Sequence, residues 1–325
     1  MRKFSIGYNH TKSFIEMIPL LKGYVHEIYF QPPKKVMGSG RVIFEEENYE
    51  KTIEELIKTC KKNDVSSNLL LNATCEGDDT GEKKYSGTIM LYLKKLKKIG
   101  LCSVSVTNPI HIQRIKKEVP GLIIHSSINC YVKNSEHAKY LKHLGVDVIT
   151  IDRDINRDIK LIKKIKKDTG AQIKAVLNEG CLKNCPYRHA HFNMISHGKD
   201  TDYFDETSCV NIYREFPEKV FQIPFIRPED LKKYDGVVDY YKLSTRTTRT
   251  DKIIFILNAY INERFDGDLL FLLSTKGLFE HFKSIDNKIL NKEGFGEMLW
   301  SCDNECESCD YCKKLLKKAA VMVKH

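Results

Sequence analysis

The sequence predicts an α/β fold: a TIM-type (β/α)8 barrel with a short cysteine-rich C-terminal extension. Three observations predict it. Short apolar segments alternate with amphipathic ones through seven units before Cys181. Strict alternation with short crossovers implies parallel strands, and a chain heading for about eight such units closes into a barrel. Reactive side chains crowd the end of the seventh apolar segment, the strand end at which such barrels carry functional groups. An open doubly wound sheet, with the site at its switch point, is the other architecture compatible with this alternation.

In order, Phe4 to Tyr8 reads as a strand, Ser13 to Leu21 as a helix and Val25 to Phe30 as a second strand. Glu45 to Lys61 has the helical period, Leu69 to Ala73 is strand-like, and Met90 to Lys98 is helical. Cys102 to Val106 is the next strand, and Ile110 to Lys117 a helix stopped by Pro120 and Gly121. Leu122 to His125, Val146 to Ile151 and Ile173 to Leu177 continue the strands, separated by helices from Glu136 to Leu144 and Asn156 to Lys167. Beyond a polar irregular stretch, Gln222 to Ile226 and Val237 to Lys242 are further strand candidates around a short helix, Glu229 to Tyr234. A long helix spans Asp251 to Glu263. The barrel domain is therefore expected over 1–265 and the cysteine-rich extension over 266–325.

Composition narrows the class. Of 325 residues, 42% are hydrophobic and 30% charged, the profile of an ordinary globular chain, and no apolar run approaches the roughly 18 residues of a membrane helix. The N-terminal stretch Met1 to Tyr8 lacks the apolar core of about 7 to 15 residues that marks a signal peptide, so a cytoplasmic chain is expected. The formal charge of +10 is spread over lysine-rich helical runs such as Lys94-Lys95-Leu-Lys97-Lys98. Such runs form solvated helix faces and permit, without requiring, an anionic partner such as RNA.

Eleven cysteines in a reducing compartment call for an explanation other than disulfides. Cys60, Cys75, Cys102 and Cys130 sit in or beside apolar segments and read as small buried hydrophobes. The other seven are clustered. Cys181, Cys185 and Cys209 follow the seventh strand, and Cys302, Cys306, Cys309 and Cys312 stand within eleven residues near the C-terminus. Thiolates favour iron-sulfur clusters or zinc, and a proline after a ligand, as in Cys185-Pro186, shapes cluster-binding loops. The four C-terminal thiolates suffice for zinc or for a second [4Fe-4S] cluster, between which spacing does not choose. The seven divide either into a three-cysteine barrel site and a separate tail site, or into a barrel site completed by one tail cysteine.

Around these ligands lie the candidate catalytic groups. His189 and His191 would share a face on an extended backbone and diverge on a helix; each is a fourth ligand, a proton donor or an ordinary loop histidine. Glu179 is placed to move protons, and Arg188 to clamp a carboxylate or phosphate. His125, at the end of its strand, is expected to reach the barrel mouth, as are Lys242 and Arg246, which otherwise form a solvated rim. Met37-Gly-Ser-Gly40 lacks the full glycine pattern of a phosphate loop and reads as a βα loop.

Several runs carry a resemblance: Ile124-His-Ser-Ser127, Asn134 to Gly145, Val148-Ile-Thr-Ile-Asp-Arg-Asp154, the cysteine loop, Ile223 to Leu231, and Tyr241-Lys-Leu-Ser-Thr-Arg246. In this order they resemble the U-thirty-two, or collagenase-like, peptidase family over roughly residues 1–265. The resemblance implies a TIM-like barrel with a cysteine-ligated [4Fe-4S] cluster, and Cys181, Cys185 and Cys209 fall where that family places cluster ligands. It also implies an activity, since several members take part in oxygen-independent hydroxylation of ubiquinone precursors or of tRNA and rRNA bases. This chain has a shorter gap between its first two cysteines and a cysteine tail where RNA-modifying members carry an extra domain.

The leading expectation is an iron-sulfur redox enzyme, a hydroxylase or related modifier of a small molecule, peptide or RNA base, served by an electron donor and open to homo- or hetero-oligomeric assembly. A peptidase is the second reading, although the chain has neither a G-x-S-x-G nor an H-E-x-x-H motif. An RNA-binding protein with structural metal sites is the third.

Overall fold

The computed structural model describes residues 2–40, 47–77, 83–198, 208–274 and 279–323. Eight parallel strands close into a barrel in sequence order. They are β1 (Lys3–Gly7), β2 (Val25–Phe30), β3 (Ser66–Leu71), β4 (Ser103–Val106), β5 (Ile123–Ser126), β6 (Val148–Thr150), β7 (Gln172–Val176) and β8 (Tyr240–Lys242). β8 closes the ring by pairing with both β7 and β1. This is the TIM-type barrel that the alternating pattern predicts.

The helices that wrap the strands are α1 (Lys12–Met17), α2 (Tyr49–Lys62), α3 (Lys83–Ile99), α4 (Pro109–Glu118), α5 (Ser135–Leu144), α6 (Ile159–Thr169), α7 (Arg188–Ser196), α8 (Cys209–Glu215) and α9 (Thr250–Ile261). Local chemistry sets several of their ends. Asn108, Asn134 and Asp158 accept from first-turn backbone N–H groups of α4, α5 and α6, and Gly145 and Gly170 take the left-handed conformation that stops α5 and α6.

The differences from the sequence reading are local. Gln222 to Ile226 is not a strand. A 3-10 turn over Pro217–Gln222 precedes it, and Pro224 removes a ladder donor, so the barrel closes through Tyr240–Lys242 instead. Glu229 to Tyr234 lies in a 3-10 turn rather than an α-helix. The helix expected from Glu45 is described from Tyr49; residues 45 and 46 lie outside the described residues.

Because side chains alternate along a strand, each strand sends one set outward to the helices and one into the barrel. Ile28, Leu69, Val104, Ile124, Ile149 and Ile173 belong to the main apolar core. The inward set is polar at mid-barrel. Glu27 accepts from Lys174 Nζ (2.6 Å), Ser5 Oγ (2.6 Å) and Asn68 Nδ2 (2.9 Å), and His125 Nε2 lies 3.5 Å from it. Two residues further along β2, β3 and β7, Tyr29, Leu70 and Val176 line the open C-terminal mouth, together with Lys242 at the end of β8. Glu27 and the four side chains around it are thus the floor of the mouth.

After α9 the chain adds α10 (Asn287–Lys292), α11 (Phe295–Ser301), α12 (Tyr311–Ala319) and an antiparallel pair, β9 (Phe282–Ile285) with β10 (Ala320–Met322). This extension is fused to the barrel by shared packing. The Phe295 ring meets Phe221 at 5.6 Å and Phe225 at 6.5 Å, and Arg227 bonds Asn291 Oδ1 (2.8 Å). No helix among the described residues is long and apolar enough to cross a membrane.

Candidate functional site

The mouth is a cavity of ≈ 600 Å³, including its open end, at the C-terminal face of the strands. Arg153, immediately beyond β6, is 2% exposed and its Nε donates to Glu179 Oε2 at 2.5 Å. Its two terminal nitrogens, Nη1 and Nη2, are buried without a hydrogen-bond partner among the described residues. Since a buried donor left unmade is costly, an arginine edge of this kind on a cavity wall is a fork awaiting an anion. Asn129 Oδ1 and the Ser274 side chain also belong to the cavity wall.

Lys242 ends β8 and its Nζ lies 3.9 Å from the centroid of the Tyr29 ring, which is itself held by a bond from its hydroxyl to Leu243 O (2.7 Å). Burial, and then the positive charges of Lys174 and Arg246, push the Lys242 amine down to about 7. Arg246 bonds Gln31 Oε1 (3.0 Å) and Ser39 Oγ (3.1 Å), tying the loop after β2 to the rim. That loop lies close: a Cβ on Gly38 would sit 2.1 Å from Ser196 O at the end of α7, so only glycine fits.

Beside the mouth are the thiols. Cys181 and Cys185 lie in the loop between β7 and α7, and Cys209 is the first residue of α8. Cys185 and Cys209 share a hydrogen bond, and both Cys181 and Cys185 act on the ionisation of Cys209. That bond from Cys209, opposed by burial and helped by Tyr187 N and Arg188, brings the Cys185 thiol down to about 6. The loop is shaped by a clamp. Arg188 grips Asp154 with two bonds (2.6 and 2.8 Å) and Leu182 O with a third (2.7 Å), while Asp154 also accepts from Asn184 N (3.0 Å).

The tail thiols lie against this loop. Lys183 Nζ reaches Asn304 Oδ1 at 2.6 Å, and Gln222 Nε2 reaches Cys306 Sγ at 3.5 Å. Cys302, Cys306 and Cys309 are exposed, whereas burial and then the other three tail thiols hold Cys312 up to about 11. Among the described residues, no three Cys, His, Asp or Glu side chains yet converge on one ion-sized position. The thiols thus fall into two groups, each acting on its own members' ionisation, on loops that touch through Lys183 and Asn304. Cys60 and Cys130, by contrast, are pushed up to about 12 by burial, as inert core thiols should be.

The remaining candidates divide by location. Glu179, Lys242 and Arg246 line the mouth. Arg188 is buried in its clamp and is the organiser of the loop. His125 is 1% exposed in the floor beneath the mouth, where burial and then Lys174 lower its pKa to about 3. His189 and His191 diverge because they lie on α7; the His189 ring meets Tyr131 at a 45° tilt (4.2 Å) and His191 stacks on Phe192 (5.8 Å), and neither histidine lines the cavity. The sequence reading did not single out Arg153, Lys174 or Glu27. For Arg153 a signal existed, since Asp152-Arg153-Asp154 directly follows a strand, at the end where barrels hold their functional groups.

Comparison with known proteins agrees with this architecture. The model of the family described as Peptidase family U32 matches residues 23–186. A protein of Methanocaldococcus jannaschii named an uncharacterized protease is 34% identical over 306 residues, covering 92% of this chain and 90% of its own length. The solved structure of the U32 peptidase Mk0906 superposes with a TM-score of 0.56, covering 75% of this chain and 93% of that one. At 18% identity, that likeness bears on the fold alone.

Proposed function

This chain belongs to peptidase family U32, and from that membership we propose that it is an iron-sulfur-dependent redox enzyme, acting in oxygen-independent hydroxylation or a related modification of a small molecule, peptide or RNA base. The observation that carries the reading is that Cys181, Cys185 and Cys209, from two separate stretches, lie close enough to act on one another's ionisation, with Cys181 also acting on Arg153 of the mouth wall. The donor set fits the group. The three thiols are soft ligands, and Arg153 and Arg188 lie near enough to feel the charge of Cys181, so they offset the negative charge of a thiolate-bound cluster. Cys181, Cys185 and Cys209 would hold a [4Fe-4S] cluster, which would supply one-electron redox chemistry.

The chain's own residues do the rest. Arg188 and Asp154 fix the thiol loop, Arg153 presents donors to an anionic substrate, and Glu179 is the carboxylate on the mouth wall suited to hold or pass a proton. The tail thiols, held beside the loop through Lys183 and Gln222, would be the ligands of a second site for zinc or another [4Fe-4S] cluster, where the metal would serve structure or electron supply from a donor protein.

The name of the Methanocaldococcus jannaschii relative favours a second reading, a peptidase. Cysteine variants separate the two. Cys181→Ser, Cys185→Ser and Cys209→Ser, purified anaerobically, should each lose the visible absorption of the barrel cluster, while Cys306→Ser with Cys309→Ser keeps it. Full colour and iron in all three barrel variants would sink the assignment. Hydrolysis of a protein substrate by iron-free chain, undiminished in those variants, would establish the peptidase instead.

A further inference from the structure

The mouth holds one group already assigned to the substrate, whose chemistry can be narrowed, and one that the proposed redox reaction does not use. One is the outer edge of Arg153, with Nη1 and Nη2 unbonded in a side chain that is 2% exposed. The other is Lys242, which has neither an ion-pair nor a hydrogen-bond partner for its amine among the described residues and rests on the face of Tyr29. Both line the same cavity. Glu179 connects them, because it is hydrogen-bonded to Arg153 Nε and its charge acts on Lys242.

A planar pair of guanidinium nitrogens matches the two oxygens of a carboxylate. A primary amine without a carboxylate partner, desolvated and crowded by other cations, is the environment in which lysine becomes a nucleophile toward carbonyls. The two carboxylates that act on the amine are both engaged elsewhere: Glu27 is bonded to Lys174 at 2.6 Å and Glu179 to Arg153 at 2.5 Å. Lys174 therefore supplies positive charge beneath Lys242 without itself being available, and Arg246 supplies more from the rim. Burial and these two cations bring the amine to about 7, so a large fraction is unprotonated at neutral pH.

We propose that the barrel mouth binds a small 2-oxo carboxylate, with Arg153 clamping the carboxylate and Lys242 condensing with the adjoining carbonyl to form an imine. The neutral amine attacks the carbonyl carbon, and a nitrogen–carbon bond forms as the carbonyl oxygen gains a proton. That oxygen takes a second proton and leaves as water, the nitrogen gives up its protons, and the sum is amine plus ketone to imine plus water, with no change of oxidation state. The protons exchange with solvent through the open end of the cavity. The inference concerns the mouth alone and stands apart from the metal content of the thiol groups.

Reductive trapping tests it. The full chain as purified is incubated at pH 7 with pyruvate and sodium cyanoborohydride, and the adduct is located by intact mass and peptide mapping. The expected result is one adduct at Lys242, formed much faster with pyruvate than with acetone, which lacks the carboxylate. Lys242→Arg should abolish it, and Arg153→Lys should slow it by ~10-fold or more, the loss of a charged bidentate contact. Absence of an adduct, labelling spread over exposed lysines without preference for Lys242, or equal rates with acetone would overturn the proposal. So would an unchanged rate in Arg153→Lys. Mapping on the unaltered chain decides the lysine even if a variant fails to fold.

Discussion

Two buried carboxylates, Asp154 and Glu27, show how single residues set the site. Asp154 is the anchor on which Arg188 folds the cysteine loop, so an arginine that the sequence offers as a substrate clamp spends its guanidinium on structure. Arg153, three positions beyond the last residue of β6, is the arginine whose terminal nitrogens have no hydrogen-bond partner among the described residues. Glu27 is more demanding. Burial alone would raise its pKa, yet Lys174 and His125 overcome that and hold it well below the usual carboxylate range. A carboxyl depressed in the folded state adds stability that is complete above its unfolded pKa of about 4 and is lost as pH falls through the lower folded value. Glu27→Gln should therefore destabilise the chain at pH 7 by about 3 to 5 kcal/mol, since Lys174 is left buried and unpaired. Below about pH 4 its unfolding midpoint should fall less steeply with pH than that of the parent chain. Denaturant titrations across pH check both, and identical slopes would remove Glu27 from the account.

At the scale of elements, hydrophobic period decides what was legible. Strands with an apolar outward set, such as Val25–Phe30 and Gln172–Val176, and helices with a clear stripe, such as Ser135–Leu144, stand out in the sequence because their burial is local and regular. The 222–226 segment misleads for a physical reason. Its apolar residues are buried against the extension rather than in a ladder: Phe225 packs on Phe295, and Ile226 N donates to Leu177 O beyond the end of β7. Phe295 is thus the rivet between the extension and the barrel. Phe295→Ala should cost roughly 3 to 5 kcal/mol by opening a cavity. Limited proteolysis should then cut the tail around α11 and α12 before the barrel. A variant whose tail stays as resistant as the parent's would show that other contacts carry the docking.

For the whole molecule, the barrel and the grouping of seven cysteines follow from sequence spacing, because alternation and ligand clustering are both short-range signals. The mouth does not follow so readily. Lys174 meets Glu27 across 147 positions and Arg246 meets Ser39 across 207, distances over which no local pattern carries information. The result is a barrel with a charged floor, a cationic mouth and thiols close enough to act on its Arg153; under the redox proposal a metal centre and an anionic substrate would be neighbours there. Iron, sulfide and zinc quantitation on anaerobically purified chain, with its absorption and EPR spectra, tests that arrangement most directly. About four irons and four sulfides with one zinc, or about eight of each, is the outcome the redox account predicts. Zinc alone, with no iron and no EPR signal after reduction, would contradict it and leave a hydrolase or a structural metal protein as the better description.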